Sequence, residues 1–258
     1  MILVLDIGNT QLFGGLFVNN ELKLRFRRTS KDRPSSDELG LFLVQALREN
    51  GFDTKSIKGV MLASVVPDLN HSVGSACVRY FNQRPMLLQA GIKTGLNLKI
   101  KDAKQVGSDL IAGMVAATHK YPNKSLIVTD LGTATTLCVV TKNREYLGGA
   151  FAPGVRLAME ALEQNTSSLP AVELKAPDVT VGKDTIENIQ SGIYYSTLGL
   201  IKEFCSRVKT NEFKNEPEVM LIATGGFSSL FEQENIFDAI EPNLVLEGLY
   251  HIWLVNQP

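Results

Sequence analysis

Apolar and polar positions follow two periods along this chain, and the same order of periods comes round twice. Residues 2–6, 11–18 and 21–27 carry strand-like patterning, and Asn19-Asn20 supplies a hairpin turn between the last two. A helix follows over about 36–50, with Ser35 or Ser36 as its cap and Gly51 as its stop. Residues 60–64 read as a buried strand, a helix runs from Pro67 to about Phe81, and 107–120 read as a helix that Pro122 ends. The second half repeats the order: strands at 125–130, 134–141 and 145–150, with Asn143 near the second turn, then helices at 154–165 and 183–208. A strand at 219–223, a helix near 228–233 and a closing helix at 244–255 complete the chain. The segment 177–185 has no period and reads as a mobile loop over a cleft. Strands alternating with helices predict an α/β fold, with helices packed on sheets. The predicted division is 1–118 and 119–258.

Each half opens on the same local chemistry. MILVLDIGNT begins the chain and SLIVTDLGTATT occupies residues 125–136, so that Asp6 aligns with Asp130 and Gly8 with Gly132. Glycine lets the backbone turn tightly and approach a ligand closely. The Asn9 amide, the Thr10 and Thr133 hydroxyls and the loop N–H groups can then meet phosphate oxygens. A carboxylate does not usefully face a phosphate directly, but it can hold a hydrated divalent metal against one. A third apolar run, VMLIATGG at residues 219–226, ends in Gly-Gly and suits a loop beside a flat ring. One such loop alone would be ordinary strand-end punctuation; its duplication points to two similar halves sharing one nucleotide. The sequence contains no GxxxxGK[ST] loop.

Composition removes several classes. In 258 residues the formal net charge is −1 and the pI about 6.3, so no basic excess favours nucleic acid. The densest basic stretch, Lys23, Arg25, Arg27 and Arg28, alternates with Leu22, Leu24 and Phe26 and reads as a strand with one solvated face. Cys77, Cys138 and Cys205 lie far apart among apolar neighbours, which predicts free thiols and a reducing cytoplasm. The first ten residues lack a basic leader, and no apolar run approaches the roughly 18 residues of a membrane span. His71 and His119 read as exposed helix residues and His251 as part of the last helix, none at metal-ligand spacing. Trp253 and Phe81 read as packing residues.

Taken in order, DIGNT, VGSDL, DLGTATT, YLGGAFAPG, SLP, VGKDT, QSG and ATGG are similar to the motifs of type III pantothenate kinases, nearly end to end. ASVVP, KTGL and LEGL add to the likeness. The resemblance implies two ribonuclease-H-like halves of the acetate kinase, sugar kinase, actin and heat-shock ATPase superfamily, with a nucleotide cleft between them. It implies ATP-dependent phosphorylation of pantothenate to 4'-phosphopantothenate, the first step of coenzyme A synthesis, by a homodimer. Asp6, Gly8, Asn9, Thr10 and Gln11 would bind ATP phosphates, Asp6 through Mg2+. Gly132 and Thr133 would contact the nucleotide, and Asp130 a monovalent cation, K+ or NH4+. Asp109 would be the catalytic base, and Gly107, Ser108, Leu110 and Thr185 would line the pantothenate site.

Each role has a plainer alternative. Ser108-Asp109 could simply cap a helix starting near residue 110, Asp130 could be a turn residue, and Thr185 could merely start a helix. Two residues also depart from the family pattern. Gly-Ala-Asp-Arg becomes Gly107-Ser108-Asp109-Leu110, which removes an arginine expected to hold the substrate carboxylate. Ile100 stands where the family usually has a tyrosine. Lys99, Lys101 or Arg156 could replace the lost cation. The alternative reading is a non-catalytic or altered-acceptor member that acts as a regulatory or accessory protein.

Overall fold

The computed structural model describes residues 1–214, 216 and 218–257. In chain order the first elements are β1 (Ile2–Ile7), β2 (Gln11–Val18), β3 (Glu21–Thr29), α1 (Ser36–Arg48), β4 (Gly59–Ser64), α2 (Pro67–Phe81), β5 (Met86–Leu87), β6 (Asn97–Leu98) and α3 (Ser108–Lys120). There follow β7 (Ser125–Leu131), β8 (Ala134–Val140), β9 (Glu145–Pro153), α4 (Val155–Asn165), α5 (Thr185–Asn211), β10 (Val219–Thr224), β11 (Ala239–Ile240) and α6 (Leu244–Val255). Contacts group these elements into two units. The first takes Met1–Leu96, Lys101–His119 and the chain from Asn243 onward; the second takes Asn97–Ile100 and the chain from Lys120 to residue 242. This grouping differs from a single cut at 118/119, because the closing helix belongs with the first sheet.

Local sequence accounts for most boundaries. Asn19 and Asn20 both take positive φ, the backbone that a two-residue hairpin loop with native twist requires. Ser35 caps α1 through a reciprocal pair with Glu38, whose backbone N–H and carboxylate both engage the serine. After α1 the chain reverses at Gly51 (φ +80°), where Phe52 N–H bonds back to Leu47 O at 3.0 Å. The helix expected near 228–233 is a 3-10 helix, Ser228–Glu234. The two-residue strands β5, β6 and β11 carry too few residues to show a period and were not expected.

In the first unit the strand order is β3-β2-β1-β4-β5. β1 runs antiparallel to β2 and parallel to β4, and its alternation feeds both faces. Leu3, Leu5 and Ile7 enter a core with Leu39, Leu43 and Leu47 of α1 and Val73, Ala76 and Phe81 of α2. Val4 enters the opposite core with Ala112 and Val115 of α3 and Leu246, Leu249 and Ile252 of α6. This second face also holds Trp253, which fills the space over Gly59, so Trp253 and Phe81 are packing residues as expected. Truncating one of these fully buried leucines to alanine costs about 2–5 kcal/mol.

In the second unit the order is β11-β10-β7-β8-β9-β6. Apart from β6, each strand matches its counterpart in the first unit in order and in relative direction. The duplication read from two short loops therefore extends through five strands. The core lies between this sheet and α5, with Ile127, Leu131 and Leu137 against Ile189, Ile193 and Ile201. The segment 177–185 is irregular, as its lack of period predicts, but it is stitched to α5: Ser191 Oγ donates to Thr180 O at 2.5 Å and Thr180 Oγ1 meets Tyr195 Oη at 3.2 Å.

The histidines require one correction. His119 is half-buried and stacks on His251, with ring centroids 4.5 Å apart and planes 6° from parallel. Burial lowers the His251 pKa from its ordinary value. The lone pairs of parallel stacked rings do not converge on one ion. Among the described residues no group of three or more His, Cys, Asp or Glu side chains is placed to hold a metal. Cys77, Cys138 and Cys205 are free and buried. Among the described residues no helix is long and apolar enough to cross a membrane.

Candidate active site: two half-sites built on equivalent strand ends

The first half-site lies where β1 and β4 end. Gly8 N–H donates to Gln11 O at 3.0 Å and closes the turn between β1 and β2, so this N–H serves the loop rather than a ligand. An added Cβ on Gly8 would come within 3.2 Å of the same oxygen, which explains glycine there. Asn9 and Gln11 are exposed, and Thr10 is half-buried. Thr10 O accepts Ser30 N–H at 3.0 Å, which fixes the loop to the end of β3. Asp6 lies in lateral register with Phe13 on one side and Ala63 on the other.

Asp109 enters from α3. The helix starts at Ser108, so Asp109 sits inside the first turn and does not cap it. Ser108 is buried and locked to the end of β4: its Oγ accepts Ser64 N–H at 3.0 Å and donates to Ser64 O at 3.3 Å. Those two bonds tie the start of α3 to the strand beside β1. Asp109 Oδ1 accepts the Leu110 backbone N–H at 2.8 Å. Burial raises the Asp109 pKa above its ordinary value, opposed by that hydrogen bond. A Cβ at Gly107 would collide with Asp109 Oδ1, so glycine keeps the carboxylate's place open. Leu110 is only 9 % exposed; its side chain packs, and its backbone orients Asp109.

The second half-site repeats the first with different chemistry. Gly132 N–H closes its turn on Ala134 O at 3.1 Å. Asp130 lies in register with Thr136 of β8 and Thr224 of β10, so that hydroxyl residues flank it on both sides. Two further glycines crowd this loop. A Cβ at Gly154 would strike the Gly132 and Thr133 carbonyls, and one at Gly225 (φ +89°) would strike Asp130 Oδ1. Gly154 N–H also bonds Thr133 O at 3.2 Å. Backbone thus packs closely around Asp130 where only glycine fits, while Thr133 is exposed. Gly154 and Gly225 lie in motifs that the sequence marks, but their approach to the loop depends on strand pairing.

Thr185 is the first residue of α5, behind the Asp184 cap, whose carboxylate accepts Glu187 N–H at 2.9 Å. Thr185 is exposed. Ile100 is half-buried near Gly148, in the second unit. Of the cations considered as replacements at the acceptor site, Lys99 pairs with Glu145 at 3.3 Å and Arg156 lies over Phe227 at 5.6 Å, while Lys101 is exposed.

Each unit thus holds a glycine turn beside a strand-end carboxylate, and the first adds Asp109 at a helix start. A family model described as type III pantothenate kinase matches residues 2–207. The chain belongs to the type III pantothenate kinase family. A relative named type III pantothenate kinase from Legionella pneumophila (strain Paris) is 49% identical over 256 residues, covering 99% of both chains. One of the same name from Elusimicrobium minutum is 47% identical over 249 residues, 96% of both. Type III pantothenate kinase 1 of a Francisella tularensis strain is 44% identical over 257 residues, 100% of both. Among solved structures, a Campylobacter jejuni protein described as a Baf family transcriptional activator superposes with TM-score 0.63 at 17% identity over 98% of each chain. A Sinorhizobium meliloti protein described as a 2-dehydro-3-deoxygalactonokinase gives TM-score 0.59 at 10% identity over 100% of this chain and 97% of its own. These two likenesses establish the fold. Family membership makes the chain a kinase and places its two sheets in the actin-like ATPase and sugar kinase class, as the motifs predicted.

Proposed function

We propose that this protein transfers the γ-phosphoryl group of ATP to the primary hydroxyl of pantothenate, giving 4'-phosphopantothenate and ADP. The observation that carries the reading is Asp109: a carboxylate desolvated at a helix start, kept in place by Gly107 and Ser108, in a chain 49% identical over its length to a relative named for this activity. Asp109 accepts the hydroxyl proton as the new O–P bond forms and the bond to the β-phosphate oxygen breaks. A raised pKa makes it a better proton acceptor. Thr185, Gly107, Ser108 and Leu110 belong to the pantothenate side in this reading, Ser108 by anchoring the helix.

Asn9, Thr10 and Gln11 receive the ATP phosphates, Asp6 through its metal, and Thr133 the rest of the nucleotide, while Gly8 and Gly132 shape the two turns that bring these groups to it. Mg2+, which spreads the phosphate charge, fits Asp6, a single strand-end carboxylate beside a glycine turn, because this ion keeps several waters and is held by one or two carboxylates plus phosphate oxygens. A K+ or NH4+ ion fits Asp130, whose neighbours in register offer hydroxyl oxygens. We place the protein in the cytoplasm as a homodimer, which static light scattering at micromolar concentration tests; a single monomer-sized species refutes the dimer.

The alternative of a non-catalytic or altered-acceptor member is not favoured, because full-length relatives at 44–49% identity are named as kinases. The deciding experiment is ADP release with pantothenate and Mg2+, in K+ and in Na+, with product identified by mass. Nucleotide-only turnover, with no phosphorylated pantothenate, overturns the proposal.

A further inference from the structure

Arg27 is exposed, on the solvated strand face that the sequence predicts, and its guanidinium is laid along the sheet. It lies over the Phe13 ring, 3.7 Å from the centroid, and its Nη1 donates to Gln11 Oε1 at the long limit of 3.5 Å. The register explains why. Asp6 pairs with Phe13, and Phe13 pairs with Arg27, so the three stand in one lateral row across β1, β2 and β3. Residues in register share a face of the sheet. Two strand spacings make about 10 Å between the Asp6 and Arg27 backbones, and an arginine lying over the middle residue spans much of that gap.

The other cations of this stretch are engaged elsewhere. Lys23 pairs with Glu21, Arg25 donates to Asn243 Oδ1 at 2.9 Å, and Arg28 pairs with Asp32 at 3.1 Å. Of these four, Arg27 is the one laid over Phe13, the β2 residue that pairs with Asp6. Partial burial and the neighbouring Arg25 lower its pKa, and Asp6 acts in the opposite direction. The equivalent row of the second unit runs Thr224, Asp130, Thr136, Phe151 and has no cation, and Phe151 is 70 % exposed. The duplicated scaffold therefore carries a cation in only one of its two rows, the row of the half-site assigned to phosphate.

We propose that Arg27 is a ligand of the terminal phosphate of bound ATP, held by Phe13 and Gln11 so that its guanidinium closes the Asp6 loop from the β3 side. This rests on the kinase reading above. Phe13 holds the guanidinium along the sheet, and a planar fork of donors suits a phosphate better than a point charge does.

The test separates this assignment from the choice of acceptor. Binding of ADP and of a non-hydrolysable ATP analogue, both with Mg2+, is measured by calorimetry on the full chain without pantothenate. The wild type binds the triphosphate more tightly than ADP. Arg27→Gln weakens the triphosphate by about 10- to 100-fold and leaves ADP within about 3-fold. Arg27→Lys keeps the charge and the stem over Phe13, so it falls between the two and shows that any loss is not misfolding. In turnover assays Arg27→Gln lowers kcat with little change in the pantothenate KM. A wild type indifferent to the third phosphate, or an Arg27→Gln that keeps the full preference, overturns the assignment. So does a variant whose only defect is a raised pantothenate KM that vanishes with an uncharged amide analogue, because Arg27 would then hold the acceptor's carboxylate. An enzyme that fails with pantothenate yet shows the binding pattern refutes the proposed acceptor and leaves Arg27 in place.

Discussion

Asp109→Asn is the substitution for which the structure gives the sign of two effects, one on turnover and one on stability. Asparagine keeps the volume, and its Oδ1 can still accept the Leu110 N–H that Asp109 accepts at 2.8 Å. What is lost is a negative charge held in a desolvated place. If it is the proton acceptor proposed above, the carboxylate contributes about 10²–10⁴ in turnover, or about 2.7–5.5 kcal/mol of barrier. Stability moves the other way. A carboxyl whose pKa is raised by folding binds its proton more readily in the native state than in the unfolded chain. Its favourable contribution is present below the unfolded pKa and is lost as pH rises through the raised native pKa. At neutral pH the ionised Asp109 therefore costs stability, and the neutral asparagine relieves that cost. Each kcal/mol recovered appears as about 2–4 °C in a chain of this size. The assay pairs ADP release across pH with thermal melting at pH 7. The wild-type rate falls as pH drops through the Asp109 pKa, at a pH above the ordinary aspartate value near 4. The variant is slow, melts higher and retains ATP binding. Near-normal turnover removes Asp109 as the base, and a lower melting temperature refutes the desolvation argument.

Gly225→Ala places a Cβ against Asp130 Oδ1 at a φ of +89°; it should cost more than about 1 kcal/mol in stability and weaken nucleotide binding, measured by melting with and without ATP. Replacing Na+ by K+ or NH4+ should raise wild-type activity, and Asp130→Ala should abolish that rise more than it alters the pantothenate KM; indifference to the cation removes the site. Leu110→Arg restores the family residue at a buried position. If the guanidinium reaches the substrate carboxylate, the pantothenate KM falls about 10- to 100-fold relative to its uncharged amide analogue; an equal effect on both analogues shows that it does not.

The sequence by itself determined the elements and their duplication. Period, caps and turn residues act over a few neighbouring positions, so Ser35, Asn19-Asn20, Gly51 and the Asp-Gly strand ends were legible before any fold. The motifs also gave the family, because DLGTATT and YLGGAFAPG are local strings. Tertiary structure decided what depends on register. Arg27 is the solvated strand residue that its alternation predicts, but only the pairing of β2 sets Phe13 between it and Asp6. His119 and His251 stack only because α3 and α6 share one core, and α6 joins the first sheet although the chain reaches it last. Ser108 follows the same rule: its exchange of two hydrogen bonds with Ser64 fastens the start of α3 to β4, a contact between residues 44 positions apart. Pairing of distant segments is set by which faces can be buried together, and that balance is summed over the whole core. No short window of sequence contains it.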